Sequence, residues 1–235
     1  MTYPDDYVDQ IICGDCIEVM KEIPGGVVDA IITDPPYGIG YASSRKTGMS
    51  GEPRKNKASF GIDRFNPEWI SEAYRVLRKD SLLYCFTRWD VASKWCESFS
   101  SSGFKVTQRL VWDKCHWKMG DLRYYGSQTE DVLLVRKGSP DMFLGGKGRR
   151  GNLFKYSSSF LPEGQHDHPT QKPEKLVTQF ILDSTQPGET ILDPFVGSGT
   201  TSVACKLTHR HFIGIEINQD YCKIAEGRLL QGVIQ

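Results

Sequence analysis

The stretch Asp34-Pro35-Pro36-Tyr37 follows a short apolar run and combines groups that could handle a planar amine. Its two prolines fix the backbone dihedral φ and lack N–H donors, so the backbone is stiff there and its carbonyl groups remain as acceptors. The Asp34 carboxylate and the Pro35 carbonyl can both accept hydrogen bonds from an –NH2 group, and Tyr37 offers a ring face. This combination suits a planar heterocycle with an exocyclic amine, held by stacking and hydrogen bonds. We therefore predict Asp34, Pro35, Pro36 and Tyr37 as the catalytic residues.

A second candidate site lies near the end of the chain, where residues 190–201 read TILDPFVGSGTT. Glycines between a strand and a helix let the backbone turn tightly and let a ligand approach the amides at the helix start. The motif lacks the third glycine of the dinucleotide fingerprint, and no Gly-Lys-Ser/Thr ending follows, which argues against a phosphate-binding loop. Glu216 ends the next strand, where an acid can accept hydrogen bonds from ribose hydroxyls. The pattern therefore predicts a cofactor that contains a nucleoside.

Both motifs need a scaffold, and short apolar runs alternate with helical patterns along the chain. We predict seven strands within 10–15, 27–34, 81–86, 109–114, 131–137, 189–195 and 210–217. Helices are predicted over 67–79, 174–185, 200–208 and 219–230. This alternation argues for an α/β fold with a doubly wound, mostly parallel sheet, in which ligands bind at the carboxyl ends of the strands. The fourth and fifth strands have no convincing helix between them, which predicts an antiparallel hairpin at one edge.

Taken together, the motifs DPPY at 34–37 and DPFVGSGTT at 193–201 resemble those of DNA methyltransferases that use S-adenosylmethionine and methylate exocyclic amines. The order of the motifs resembles that of the beta class, a circularly permuted version of the Rossmann-like methyltransferase fold. Two further matches are GDC at 14–16 and HPTQKP at 168–173, so the resemblance spans about residues 11–228. It implies a single domain over 1–235 that methylates a base flipped out of duplex DNA. DPPY is more typical of adenine methylation, because the cytosine-amine enzymes more often have serine in the first position.

The resemblance also implies roles for individual residues. Asp34 to Tyr37 would take the target base, Glu216 would bind the ribose of the cofactor, and Lys172 would pair with its carboxylate. The full set expected at the cofactor is Asp15, Cys16, Asp34, Thr170, Lys172, Asp193, Pro194, Phe195, Gly197, Ser198, Gly199, Thr200, Thr201, Glu216 and Ile217.

Two segments without periodicity carry clustered basic residues and are expected to contact DNA. They are a basic loop insertion at 40–66 and a short target-recognition region at 138–167. Basic residues mixed with glycine and aromatics suit a phosphate backbone, although a solvated polar loop has the same composition. The DNA-binding residues predicted here are Arg45, Lys46, Arg54, Lys55, Lys57, Lys147, Arg149, Arg150 and Lys155. Among the tryptophans, Trp117 is the best candidate for a DNA contact.

The composition of the 235-residue chain limits the remaining classes of function. Its formal net charge is zero, so the average charge alone predicts no polyanion partner. No apolar run approaches the roughly 20 residues that a membrane span needs, which predicts no contact with a membrane. Seven scattered cysteines suggest reduced thiols in a cytoplasm, where the protein would associate with the nucleoid. Cys13-x-x-Cys16 has no second pair at zinc-ligand spacing, so we expect no metal site.

Several alternatives stay open at this point. N4-cytosine methylation is one, and a non-catalytic, DNA-binding subunit that resembles a methylase is another. The intact motifs argue against the inactive subunit, and Asp34 argues against protein-amide methylation, whose enzymes resemble this pocket but carry asparagine there. An RNA substrate is harder to separate from DNA. The short recognition region implies a short recognition sequence, a partner subunit or a homodimer. A restriction endonuclease partner, a solitary regulatory methylase and a phage-borne protective methylase all fit the sequence.

Overall fold

The structure is a computed structural model that describes residues 2–37, 65–117, 125–142, 150–157 and 171–231. Its strands are β1 (Gln10–Cys13), β2 (Val28–Thr33), β3 (Leu77–Thr87), β4 (Lys105–Asp113), β5 (Thr129–Lys137), β6 (Leu153–Lys155), β7 (Thr190–Asp193) and β8 (His211–Glu216). Its helices are α1 (Cys16–Glu22), α2 (Trp69–Val76), α3 (Ala92–Ser101), α4 (Glu174–Ser184), α5 (Thr200–Leu207) and α6 (Gln219–Gln231).

The strands form one sheet in the order β1-β8-β7-β2-β3-β5-β4-β6 within the described ranges. The five neighbouring strands β1, β8, β7, β2 and β3 pair in parallel. Strand β5 runs antiparallel to both β3 and β4. The predicted α/β fold with a mostly parallel sheet and an antiparallel hairpin is confirmed. The described sheet has eight strands instead of the expected seven, because Leu153–Lys155 pairs with β4 in parallel and forms the edge beyond the hairpin. This additional strand lies inside the predicted recognition region.

The C-terminal boundary of the first predicted helix is wrong. The helical pattern was expected to continue through Lys79, but α2 ends at Val76 and β3 begins at Leu77. Leu77 is fully buried and lies opposite Val28 in the β2–β3 ladder, so tertiary pairing overrides the local helical pattern. The strand that contains the predicted 81–86 run is therefore longer than expected.

Successive side chains of each strand pack on opposite faces of the sheet and form two separate hydrophobic cores. In β2, Ile31 faces a cluster with the apolar sides of α1, α2 and α3, whereas Ala30 and Ile32 face a cluster with α4 and α5. A strand that is buried on both faces is characteristic of doubly wound sheets and explains the nearly continuous apolar sequence of β2. The two cores fix the sheet from both sides and leave the strand ends available for a site.

The topology brings several carboxyl ends to one edge of the sheet. Because β1, β8, β7 and β2 are parallel neighbours, the residues that follow them lie side by side. No helix in the described ranges is long and apolar enough to cross a membrane.

Candidate active site

The proline corner and the glycine turn meet at this edge. Ile31 of β2 lies opposite Leu192 of β7, so Asp193 ends β7 beside the residues that lead to Asp34. Asp34 is close enough for its charge to act on the Asp193 carboxyl. The motifs are far apart in sequence, and the direct β2–β7 pairing makes them neighbours in space. The proline corner and the glycine turn are therefore side by side in the fold.

The Asp34 carboxylate is engaged on both oxygens. The Tyr37 hydroxyl donates a hydrogen bond to Oδ1, and the Lys172 ammonium contacts Oδ2. Pro35 is buried, which holds the corner against the body of the protein, whereas Pro36 is exposed. The Asp34 side chain keeps 27 % of its surface exposed, so it is only partly enclosed by the described residues.

Glu130 of β5 joins this cluster and was missed in the sequence. Its carboxylate lies 3.0 Å from the Lys172 Nζ and 3.3 Å from the Lys114 Nζ. Its Oε1 is also an acceptor for the Tyr37 hydroxyl at 3.3 Å. The signal that could have revealed it is its place at the start of an apolar strand: antiparallel pairing brings the start of β5 to the edge where β3 ends.

The charges of the cluster alter one another. Burial raises the pKa of Asp34 above its ordinary value of 3.8; Lys172 opposes this effect and Glu130 adds to it. Burial disfavours the Lys172 ammonium, but the two carboxylates outweigh that effect and raise its pKa. Burial alone would raise the pKa of Glu130, yet Lys172 and Lys114 reverse the effect and lower it. Opposite charges thus stabilise one another in a site with little contact with water.

Lys172 is placed differently from its role in the resemblance. That role pairs it with the carboxylate of the cofactor, whereas the structure holds it between Asp34 and Glu130 with only 11 % of its side chain exposed. Lys172 lies in the segment directly before α4, whose first turn is preceded by Pro173. Pairing with the cofactor carboxylate stays a prediction for Lys172. Thr170, expected beside it, lies outside the described residues.

The glycine turn has the backbone that its sequence predicts. Gly197 and Gly199 have φ values of 52° and 84°, which glycine adopts without strain. A Cβ on Gly199 would lie 2.9 Å from the Cβ of Ala225 on α6, so there is no space for a side chain. Gly199 directly precedes α5, whose N-terminal amides lie at the turn. The turn thus brings bare backbone close to the strand edge.

Asp193 is an internal part of the turn. Its buried carboxylate accepts a hydrogen bond from the Thr201 hydroxyl at 2.6 Å and another from the Phe195 amide at 3.1 Å. Burial raises its pKa to about 7, against the opposing effect of these hydrogen bonds. The Phe195 ring meets Trp69 edge to face, with 5.6 Å between the ring centroids. The structure therefore assigns Asp193 a clear role in holding the turn.

Glu216 has the geometry expected of an acid that binds a ribose. It ends β8, and its carboxylate accepts hydrogen bonds from the Gly197 amide at 3.1 Å and the Asn218 amide at 2.8 Å. Each carboxylate oxygen has a further lone pair, so the group can still accept bonds from a diol. Burial raises the pKa of Glu216. The residues present therefore fit a nucleoside at this position.

The GDC motif lies beside Glu216. The Gly14 amide donates to the Glu216 carbonyl at 2.9 Å, which joins the ends of β1 and β8. The Asp15 side chain accepts hydrogen bonds from two amides of the first turn of α1 and so caps that helix. Burial, with a further contribution from Asp15, raises the pKa of the Cys16 thiol to about 12. Ile217, also predicted near the cofactor, is 73 % exposed.

Arg228 of α6 is a second residue that sequence reasoning missed. Its Nη1 donates to the Ser198 carbonyl at 2.6 Å and lies 3.3 Å from the Thr200 hydroxyl. Ser198 and Thr200 are thus held by protein contacts at the start of α5. Pro194 is buried in the same turn.

Two of the predicted DNA-binding residues, Arg150 and Lys155, lie within the described part of the chain. Those that lie outside the described residues are Arg45, Lys46, Arg54, Lys55, Lys57, Lys147 and Arg149. Arg150 and Lys155 are described and line an open groove with Tyr156 and Gln179. The Arg150 guanidinium lies 3.5 Å from the carboxylate of Asp183, which is buried, whereas Lys155 is exposed.

The chain is similar to known DNA methyltransferases over most of its length. The family described as DNA methylase matches residues 28–227. The type II methyltransferase M.HpaI of Haemophilus parainfluenzae is 31% identical over 240 residues, which cover 94% of this chain and 74% of that protein. The DNA adenine methyltransferase YhdJ of Escherichia coli (strain K12) is 31% identical over 248 residues, which cover 93% of this chain and 82% of YhdJ.

A solved structure shows the same relationship. The crystal structure of the M1.HpyAVI–SAM complex superposes with a TM-score of 0.72 and 28% sequence identity, covering 94% of this chain and 98% of that one. The match over most of the chain includes both the proline corner and the glycine turn. The chain therefore belongs to the DNA methylase family, and it is a DNA methyltransferase.

Proposed function

We propose that this protein transfers a methyl group from S-adenosylmethionine to the exocyclic amine of an adenine that is flipped out of duplex DNA. The observation that carries the proposal is the β2–β7 pairing, which sets Asp34 beside the turn that ends at Gly199. An amine held at one motif therefore faces a donor held at the other. The names of YhdJ and of the M1.HpyAVI–SAM complex support adenine and S-adenosylmethionine respectively.

The donor would lie along the edge formed by the glycine turn. Glu216 would accept hydrogen bonds from its ribose, and the backbone at Gly197 and Gly199 would allow its close approach. S-adenosylmethionine supplies an electrophilic methyl group on a positively charged sulfur. Asp15 and Cys16, at the neighbouring strand end, would border its adenine.

The proline corner would prepare the acceptor. An aromatic amine is a poor nucleophile because its lone pair is delocalised into the ring. Hydrogen bonds from the two N–H groups to the Asp34 carboxylate and the Pro35 carbonyl favour a pyramidal nitrogen whose lone pair faces the methyl group. The rate enhancement then comes from positioning and electrostatics. Tyr37 would stack on the base and replace part of the stacking lost on flipping.

The atoms and charges of the transfer step are accounted for without a metal or an oxidant. A carbon–nitrogen bond forms as the carbon–sulfur bond breaks, so the positive charge moves from sulfur to the amine nitrogen. The nitrogen then loses one proton, for which Asp34 is the adjacent base. The raised pKa of Asp34 favours acceptance of that proton, and the exposed part of the side chain lets it pass to water.

The DNA surface, the partners and the location belong to the same proposal. Lys155 and Arg150 would meet the phosphate backbone together with the basic residues outside the described ranges. The protein would act in the cytoplasm, at the nucleoid. A homodimer and a restriction endonuclease partner both stay predictions, and size-exclusion chromatography with light scattering tests the first.

A methyl-transfer assay tests the proposed function. Purified protein is incubated with tritiated S-adenosylmethionine and duplex DNA, RNA or protein, and the methylated DNA is hydrolysed for chromatography. We expect label in DNA only and a product that co-elutes with N6-methyladenine. Label in N4-methylcytosine would contradict the choice of base, and label in none of the three would favour a non-catalytic subunit.

Asp34→Ala is expected to abolish transfer while S-adenosylmethionine still binds in calorimetry. Transfer near the wild-type rate would overturn the assignment of Asp34.

A further inference from the structure

We propose that Glu130 is a positioning residue that shares Lys172 with Asp34 and supplies the counter-charge that leaves Asp34 effectively anionic toward the amine. This inference rests on the proposed function, since it concerns the acceptor side of the same transfer. Glu130 reaches the site from β5, outside all the recognised motifs. It contacts Lys172 and Tyr37, the two side chains that occupy the Asp34 oxygens.

The proposed reaction moves a positive charge toward Asp34. Methyl transfer places a positive charge on the amine nitrogen, which lies against Asp34 in the proposed geometry. An ammonium on the same carboxylate would oppose that charge, because Lys172 is buried and poorly screened by water. Glu130 contacts the same ammonium at 3.0 Å, so the charge of Lys172 is divided between two carboxylates.

Lys114 completes the balance. It lies 3.3 Å from the other oxygen of Glu130, and both side chains are largely buried, with 16% and 13% exposed. Lys114 thus lowers the cost of burying the Glu130 carboxylate beside Asp34. With Asp34, Glu130, Lys172 and Lys114 ionised, the charges sum to zero. Removal of Glu130 alone would leave a net positive cluster at the place where positive charge develops.

Groups on other strands also act electrostatically on Asp34. Cys85 of β3 and Asp193 of β7 both interact electrostatically with it, and Tyr37 donates to it. Of these groups, Tyr37 also contacts Glu130 directly, at 3.3 Å. A change in the Asp34 titration therefore reports on Glu130 and on the groups that it binds, which are Lys172, Lys114 and Tyr37.

The first test is made on the protein without substrates. The Asp34 carboxyl is followed by carbon-13 NMR during a pH titration and is assigned by its loss in Asp34→Asn. Glu130→Gln removes a negative charge beside Asp34, so the titration midpoint should fall by roughly one pH unit. Lys114→Met leaves Glu130 without its second cation, so the midpoint should rise. Midpoints that stay unchanged, or that move in the same direction in both variants, would overturn the proposal.

The second test is single-turnover methyl transfer to duplex DNA. Glu130→Gln should slow the transfer step on the order of 100-fold, which is the size of the effect of a misplaced or missing electrostatic group. Glu130→Asp keeps the charge on a shorter side chain and should recover part of the rate, whereas a role in packing alone would favour the isosteric glutamine. Glu189→Gln is the matched control, because it removes a carboxylate from the ion pair with Arg78 at the amino ends of the parallel strands. It should leave the rate unchanged.

The outcomes separate this inference from the proposed function. If wild-type protein transfers no methyl group, the proposed function fails, and the NMR titration still decides whether Glu130 controls Asp34. If wild-type protein is active and Glu130→Gln matches its rate with an unchanged midpoint, the inference fails and the proposed function stands. Thermal unfolding of each variant identifies a loss of rate that comes from a loss of folded protein.

Discussion

The Gly197 amide donates a hydrogen bond to the Glu216 carboxylate across 3.1 Å, so the glycine turn is tied directly to the acid at the end of the next strand. The Asn218 amide holds the other oxygen of the same carboxylate. Glu216 therefore has a fixed orientation before any ligand arrives. Such preorganisation reduces the entropy that binding has to overcome.

Glu216→Gln should weaken S-adenosylmethionine binding about 10- to 100-fold, because hydrogen bonds to a charged group contribute roughly 1.5–3 kcal/mol. Calorimetry with protein and cofactor alone measures the change. Glu226→Gln is a suitable control, since Glu226 is an exposed acid on α6 and should bind the cofactor with wild-type affinity. Equal affinities for Glu216→Gln and wild type would remove Glu216 from the cofactor site.

Gly199→Ala should lower the free energy of unfolding by about 1–3 kcal/mol, because it forces a side chain into a left-handed backbone and against Ala225. Urea denaturation measures the loss. Gly151→Ala is the matched control, because a Cβ there would have nothing within 4 Å. Adding Ala225→Gly to Gly199→Ala should relieve the steric part of the loss; a double variant less stable than the sum of both single changes would contradict the contact.

Asp193→Asn should change the pH dependence of stability. The pKa of this carboxyl rises from 3.8 to about 7 on folding, so the folded state binds more protons than the unfolded state between these values. Stability from this group is therefore present at low pH and is lost as pH rises toward 7, by roughly 4 kcal/mol at most. The asparagine variant lacks that loss, so its stability relative to wild type should increase from pH 5 to pH 8. Denaturation curves at both pH values check this, and a constant difference between the proteins would contradict it.

Lys155→Ala should reduce the salt dependence of DNA binding. Each phosphate contact contributes a slope of about −0.9 in a plot of log affinity against log salt concentration, so loss of one contact should flatten the plot by about that amount. Fluorescence anisotropy at several salt concentrations gives the slope. Lys79→Ala is the control, because Lys79 is an exposed lysine near the start of β3, at the amino ends of the parallel strands. It should keep the wild-type slope. An unchanged slope for Lys155→Ala would remove β6 from the DNA surface.

The sequence predicts the parts of this protein that depend on local chemistry. Gly197 and Gly199 have the backbone that their motif implies, and Glu216 ends its strand as the pattern of apolar residues indicates. Glu130 could not be found in this way, because its position depends on which strand pairs with β3 and in which direction. The sequence does not predict the partners of Lys172 for the same reason, since the lysine lies 138 positions from Asp34.

The pairing of β2 with β7 also determines when the protein can become active. Asp29 of β2 accepts a hydrogen bond from the Thr190 amide across 161 positions, so the strands that carry the two motifs come from distant parts of the chain. A ribosome that has released only the first of these strands has produced the proline corner without the glycine turn. Closing so long a loop is also slow compared with the formation of local structure. A nascent chain interrupted before β7 therefore lacks the glycine turn that lies beside Asp34 in the folded protein.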